Sequence, residues 1–137
     1  MTLSKTEKIV SWSMQLVVAG ILLPAGAGKL RSDQSALTVF EALEMGPEGM
    51  IIIGLIEVLA SVLILTPGLV HLGALLGFGT MLGALLAHIS TLGFSGDSGV
   101  GAVLLSVVIA ATSVVMFLHR EKLPVVGIIF REDARSE

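Results

Sequence analysis

A single carboxylate stands near the middle of an apolar stretch that is long enough to cross a bilayer. The stretch covers residues 49–66, GMIIIGLIEVLASVLILT, and the carboxylate belongs to Glu57. A charge at the centre of a membrane costs on the order of 3 kcal/mol on insertion scales, so such a group is expected to face protein or water and not lipid. Glu57 is therefore expected to be protonated, paired or functional.

The rest of the chain is divided into apolar blocks in the same way. Its 137 residues have a mean hydropathy of +0.96, and 14% of them are charged, whereas a soluble domain has about 25% charged residues. A membrane-spanning helix needs roughly 20 mainly apolar residues. We therefore expect a single-domain all-α protein, an integral membrane antiparallel four-helix bundle, with spans at about residues 9–28, 49–66, 69–92 and 100–118.

The basic residues predict the orientation of these spans. Cytoplasmic flanks are enriched in lysine and arginine, and such residues precede the first span and follow the fourth. Both termini are therefore expected in the cytoplasm, with the protein in the plasma (inner) membrane and a polar tail at residues 119–137. Lys5, Lys8 and the later Ala25-Gly26-Ala27 also fit a cleaved signal peptide, but we expect the segment to be retained as the first helix.

Composition excludes several classes of function. The chain has no cysteine, so disulfide exchange and cysteine-ligated metals are excluded within it. Its net charge of −3 and the lack of a broad basic face argue against a nucleic-acid partner. Neither haem nor another metal is expected, because His71 and His119 lie at helix ends and no close ligand spacing is present.

The polar segment between the first two spans, at about residues 32–46, predicts a short amphipathic helix on the outer face. Ser32 or Asp33 is expected to cap it, and Gly46-Pro47 to end it. This helix is expected to be either a connector that shields helix ends or a lid over a cavity. Pro67-Gly68 predicts a tight turn between the second and third spans.

Small and polar residues recur along single faces of the spans. In the first span Ser11, Gln15 and Ala19 share a face with Gly26 and Lys29, and this face is expected to point into the bundle. In the third span two stripes recur, one containing Gly73, Gly77 and His88 and the other containing Gly79 and Gly83. Small residues at such spacing let membrane helices approach closely.

Lys29, Glu57 and His88 form the candidate binding or proton-handling site, with Gln15 as a polar neighbour. A relay from Lys29 through His88 to Glu57 fits the expected depths better than a direct Lys29–Glu57 ion pair. The group could act through structural hydrogen bonds between helices, through a cavity that handles a proton or a polar head group, or through a metal held by Glu57 and His88.

The order of these motifs resembles the DoxX and DoxX-like family of four-helix membrane proteins. The similar features are AGAGKL at the end of the first span, GLIEVLASVLILTPG with its embedded glutamate, and LLAHIS late in the third span. The resemblance implies an accessory subunit of a membrane redox system, with membrane or peripheral oxidoreductase subunits as partners and a quinone-like or lipid molecule bound near Glu57 and His88. The alternatives are a membrane chaperone or scaffold, which one animal member exemplifies, and a small proton-coupled carrier; homo-oligomers are a further expectation.

Overall fold

The computed structural model describes residues 2–94 and 97–122, and the side chains of all of these except Asp97, Ser98 and Lys122. Within these residues the fold consists of helices joined by short connections. A π-helical turn at His88–Leu92 extends the fourth helix, and a short 3₁₀ helix at Arg120–Lys122 follows the fifth. The polar tail predicted at residues 119–137 lies outside the described residues beyond position 122. The helices are α1 at Lys5–Leu30, α2 at Gln34–Ala42, α3 at Gly46–Leu65, α4 at Val70–Ala87 and α5 at Asp97–Leu118.

Four of the described helices are long and apolar enough to cross a membrane, which confirms the predicted number. They are α1, α3, α4 with its π-helical turn, and α5. The largest difference in bounds lies at the start of α1, which begins at Lys5 and not near residue 9. Ser4 and Glu7 explain this extension: the Ser4 hydroxyl accepts from the Glu7 N–H at 3.3 Å, and the Glu7 carboxylate accepts from the Ser4 N–H at 2.8 Å. This reciprocal pair is a capping box, which satisfies two exposed N–H groups at a helix start.

The predicted short helix is present as α2, but the expected role of Gly46-Pro47 is wrong. These two residues begin α3 and do not end α2. Proline is compatible with the first turn of a helix because the N–H that it lacks has no partner there. The turn between α2 and α3 is made by Glu44 and Gly46, which both have positive φ angles, 57° and 62°. Asp33 is the residue that precedes α2, although its side chain makes no capping hydrogen bond.

The long helices pack side by side in the order α1, α3, α4, α5, with α5 also against α1, and α2 packs mainly against α3. The core lies between them and consists of aliphatic side chains from all four. The predicted inward face of α1 is confirmed, since Ser11, Gln15, Ala19 and Gly26 are buried. The fully buried core residues include Val18, Leu22, Ala60, Ile64, Ala74, Val108 and Val115.

Candidate functional site

Lys29 and Glu57 form a direct ion pair between α1 and α3. The Nζ atom of Lys29 lies 2.7 Å from Oε2 of Glu57 and donates a hydrogen bond to it. The Glu57 side chain is 3% exposed and that of Lys29 is 17% exposed. Glu57 is thus buried within the protein and paired, and its partner is Lys29.

Two glycines allow the helices that carry this pair to touch. A Cβ atom placed on Gly26 would lie 2.8 Å from the carbonyl oxygen of Gly54, and one on Gly54 would lie 2.9 Å from Cβ of Lys29. Both distances are too short for a real side chain, so the backbones of α1 and α3 are in contact at this level. The same Gly26 position faces Val58 and Glu57, which sets Glu57 directly opposite Gly26.

The expected relay through His88 is wrong, and the direction of side chains in a helix explains why. Lys29 follows Gly26 by one turn and lies opposite Gly54, so its Cα is about 5 Å beyond the level of Glu57 along the axis. The Cα–Cβ bond of a helical residue tilts toward the helix N-terminus, and the long lysine side chain therefore extends back toward Glu57. An estimate of depth from Cα positions alone omits this reach.

His88 lies beside the ion pair without forming part of it. Its Nδ1 atom is 2.9 Å from the carbonyl oxygen of Ala84. Because a carbonyl oxygen can only accept, Nδ1 carries the hydrogen, and in the neutral ring Nε2 is then the acceptor. Nε2 points toward α5, since a Cβ atom placed on Gly101 would lie 3.5 Å from it, and the ring of Phe94 lies 5.9 Å away between centroids.

A cavity of about 550 Å³, called the groove below, runs along α4 beside these groups. On α4 and the π-helical turn its lining extends from Leu75 to Leu92, which corresponds to a length of about 25 Å at 1.5 Å per residue. Lys29, Glu57, Thr80 and His88 are its polar lining residues. The others are apolar or glycine: Val39, Phe40, Leu43, Met45, Ile53, Ile56, Leu75, Leu76, Gly79, Gly83, Ala84, Ala87 and Leu92.

A second cavity, of about 640 Å³, lies on the other side of Lys29 and His88. It shares both of these residues with the groove, together with Val39 and Phe40 of α2 and Leu92 of the π-helical turn. Residues of α2 thus line both cavities, as expected if this helix is more than a connector. Sequence reasoning did not identify Phe40 or Gly101 as site residues, because nothing in their spacing distinguishes them from ordinary packing positions.

Gln15 lies far from the other three candidates. It precedes Lys29 by 14 residues on α1, which places it about 21 Å lower along the helix axis. Its side-chain nitrogen donates to the Ser11 hydroxyl at 2.7 Å. The same hydroxyl lies 3.0 Å from Nε2 of His119, the residue that follows α5. The expectation that Gln15 is a neighbour of Lys29, Glu57 and His88 is therefore wrong.

Among the described residues no group of three or more His, Asp or Glu side chains is arranged to hold a metal ion. Comparisons of this chain with protein-family models, with curated proteins and with solved structures find no match. The resemblance to the DoxX family therefore rests on the residues quoted above.

Proposed function

We propose that this chain is an integral membrane protein of the plasma (inner) membrane, built as an antiparallel bundle of α1, α3, α4 and α5. Burial supports insertion, because only 22% to 33% of the residues in the apolar window of each long helix are buried within the protein. Exposed apolar surface of this extent is characteristic of proteins that have lipid around them. The pairing of Gly26 with Glu57 and of Lys29 with Gly54 supports opposite directions for α1 and α3.

The proposed topology has both termini on the cytoplasmic side. Because the chain has no cysteine, single cysteines at Ser4 and Ser136 give unambiguous labelling. Each is expected to react with a membrane-impermeant thiol reagent only when the reagent has access to the cytoplasmic side. Reaction from the outer side of sealed cells would refute this topology.

We further propose that the groove binds an amphipathic molecule of the quinone or lipid class. The observation that carries this proposal is the polarity of the lining: it is apolar along α4 and has Lys29, Glu57 and His88 near one end. An elongated apolar ligand with a hydrogen-bonding head matches such a lining. Ligand pockets in general combine an apolar wall with a few polar groups that fix orientation.

The ion pair favours a head group without net charge. Lys29 and Glu57 neutralise each other at 2.7 Å, so a head group beside them meets hydrogen-bonding atoms and little net field. A quinone carbonyl is an acceptor of this kind, and the lysine ammonium has three N–H donors, of which the bond to Glu57 uses one. A role as accessory subunit of a membrane redox system is proposed from the DoxX resemblance together with this ligand class.

Filling the groove tests the proposed binding. Gly83 lines the groove and a Cβ atom there would meet nothing within 4 Å, so Gly83→Leu is expected to fold and to occupy the space of the ligand. Gly20 on α1 is equally open and lies outside the groove, which makes Gly20→Leu the matched control. Purification in mild detergent followed by extraction is expected to recover quinone or lipid in amounts above the detergent-micelle background from wild type and Gly20→Leu, but not from Gly83→Leu. Equal recovery from both variants would refute groove binding.

A second candidate function, a chaperone or scaffold without a ligand, is favoured by one specific observation. The ion pair lies where α1 and α3 touch through Gly26 and Gly54, so a purely structural role also accounts for it. Glu57→Gln separates the two, because glutamine keeps the shape and hydrogen bonding but cannot ionise. Loss of the extracted ligand from a stably folded Glu57→Gln protein supports the binding site; unchanged ligand content supports the scaffold.

A further inference from the structure

The second cavity differs from the groove in the residues that surround it. Asp33, Ser35 and Thr38 line it, and all three belong to the exposed segment around α2. The polar residues of the groove lining are Glu57, Thr80 and the shared Lys29 and His88, and none of them is exposed. The Thr80 hydroxyl donates to the carbonyl oxygen of Gly77 at 3.0 Å. The second cavity thus has a polar, exposed border, whereas the groove has an apolar wall.

His88 lies between the two cavities and lines both of them. Its Nε2 atom points toward Gly101, which lines the second cavity and not the groove. Nδ1 is occupied by the bond to Ala84, so Nε2 is the ring atom available to a molecule in the second cavity. Phe40, which is buried, also contributes to both linings.

We infer that the second cavity is a water-filled vestibule through which Nε2 of His88 is reached from the aqueous phase beside α2. The cavity volume of about 640 Å³ far exceeds the roughly 30 Å³ that one water molecule occupies in the liquid, and its border supplies the polar partners that ordered water needs. This inference rests on the ligand site proposed above, which would then be open to the membrane on one side and to water on the other. Nε2 of His88 can then accept a hydrogen bond from water in the vestibule beside the groove.

The charges around His88 come from three segments of the chain. Lys29 of α1 and Glu57 of α3 line the groove with it, and Asp33 before α2 lines the second cavity. Lys29 is paired with Glu57. Asp33 is the carboxylate in the described lining of the second cavity, and it lies 3.6 Å from the exposed Arg31. A small, permanently charged reagent is a suitable probe of the vestibule, because such a reagent reacts where water enters.

Cysteine labelling with a permanently cationic methanethiosulfonate reagent tests whether water enters. The full chain is reconstituted in lipid nanodiscs with one cysteine, at Ala25 in the lining of the second cavity or at Leu23, two positions away on α1 and outside it. Both residues are exposed in the protein, but only Ala25 is expected to meet water. Since the thiolate is the reacting species, Ala25→Cys is expected to react roughly tenfold faster than Leu23→Cys. Equal rates would overturn the inference.

A second measurement follows access to position 88 itself. His88→Cys is labelled alone, with Gly101→Leu, which extends a side chain into the second cavity, and with Gly83→Leu, which fills the groove. Labelling is expected to be slowed by Gly101→Leu and left unchanged by Gly83→Leu; size-exclusion profiles confirm that each variant is folded. Labelling that is insensitive to Gly101→Leu, or that is blocked by Gly83→Leu alone, would overturn the vestibule.

These outcomes are separate from the test of the proposed function. Loss of ligand from Gly83→Leu concerns the groove, and labelling of Ala25→Cys concerns the second cavity. A protein that retains no ligand but reacts at Ala25→Cys has the vestibule without the groove function. A protein that retains ligand but does not react there has the groove without the vestibule.

Discussion

Two faces of α4 carry the same glycine spacing and have opposite environments. Gly73 and Gly77 are four residues apart and buried, and a Cβ atom on Gly73 would lie 2.8 Å from the carbonyl oxygen of Ala60 and closer still to the backbone of Ile64. Gly79 and Gly83 are also four residues apart, yet a Cβ atom on either would meet nothing within 4 Å. The first pair holds α4 against its neighbours, and the second forms part of the groove.

The comparison shows what small-residue spacing does and does not determine. Small residues at such spacing permit close contact between helix backbones, as is known for membrane helices. Whether contact follows depends on the presence of a partner helix at that face. At the Gly73 face α3 supplies the partner, whereas at the Gly79 face the wall of α4 borders a cavity.

The largest expected effect comes from a large side chain on the closed face. Gly73→Leu sets a side chain against the backbones of Ile64 and Ala60, which cannot move without separating α3 from α4. We expect a loss of more than about 4 kcal/mol in the free energy of unfolding, a size that is exceptional for a single substitution. Thermal unfolding in detergent measures it. Gly79→Leu is the matched control on the open face, and a similar loss in both variants would refute the distinction between the two faces.

The second-largest loss of stability is expected when Glu57, at the border between the packed core and the groove, loses its charge. Glu57→Leu leaves the Lys29 ammonium without its partner in a site where only 17% of its side chain is exposed. Breaking a buried ion pair in this way costs about 3 kcal/mol or more. The double variant Lys29→Leu with Glu57→Leu is expected to recover much of the loss, because a buried pair replaced by apolar residues is often neutral. A double variant as unstable as Glu57→Leu would contradict this account.

Smaller changes on the two faces are expected to have opposite signs. A Cβ atom on Gly77 would lie 3.1 Å from Cδ1 of Leu22, a flexible side chain that can shift, so Gly77→Ala is expected to destabilise by about 1 kcal/mol. Gly79→Ala meets open space and is expected to stabilise by up to about 1 kcal/mol through helix propensity. Chemical unfolding curves of the two variants in one detergent give the comparison. If the free energy of unfolding changes in the same direction in both variants, the two faces of α4 do not differ in packing.

The smallest expected effect lies at the opposite end of the bundle from the groove's polar groups. Ser11→Ala removes the hydroxyl that accepts from Gln15 and bonds His119, and hydrogen bonds between membrane helices average about 0.6 kcal/mol. Ser13→Ala is the control, because the Ser13 hydroxyl is exposed and donates to the carbonyl oxygen of Ile9 within the same helix. Thermal unfolding is expected to shift down for Ser11→Ala and to change less for Ser13→Ala. The reverse order would mean that the link between α1 and His119 contributes little.

The local elements were predictable to a useful degree. The four apolar helices, the short helix after the first of them and the inward face of α1 follow from hydropathy and periodicity, because a helix places residues three and four apart on one side. The end of α2 and the start of α3 were not predicted correctly, since Gly46-Pro47 fits either a helix end or a helix start. The early start of α1 depends on the Ser4–Glu7 capping box, which hydropathy does not register.

The sequence by itself determined that Glu57 needs a partner, since an unpaired charge in so apolar a segment is costly. It also determined that Lys29 and His88 are the ionisable candidates of the neighbouring spans. Only the tertiary structure decided that Lys29 binds Glu57 directly, that Gln15 belongs with Ser11, and that His88 faces two cavities. The physical reason is that helix periodicity specifies the direction of a side chain around its own axis, whereas the contact between helices sets their relative height and the space left open between them.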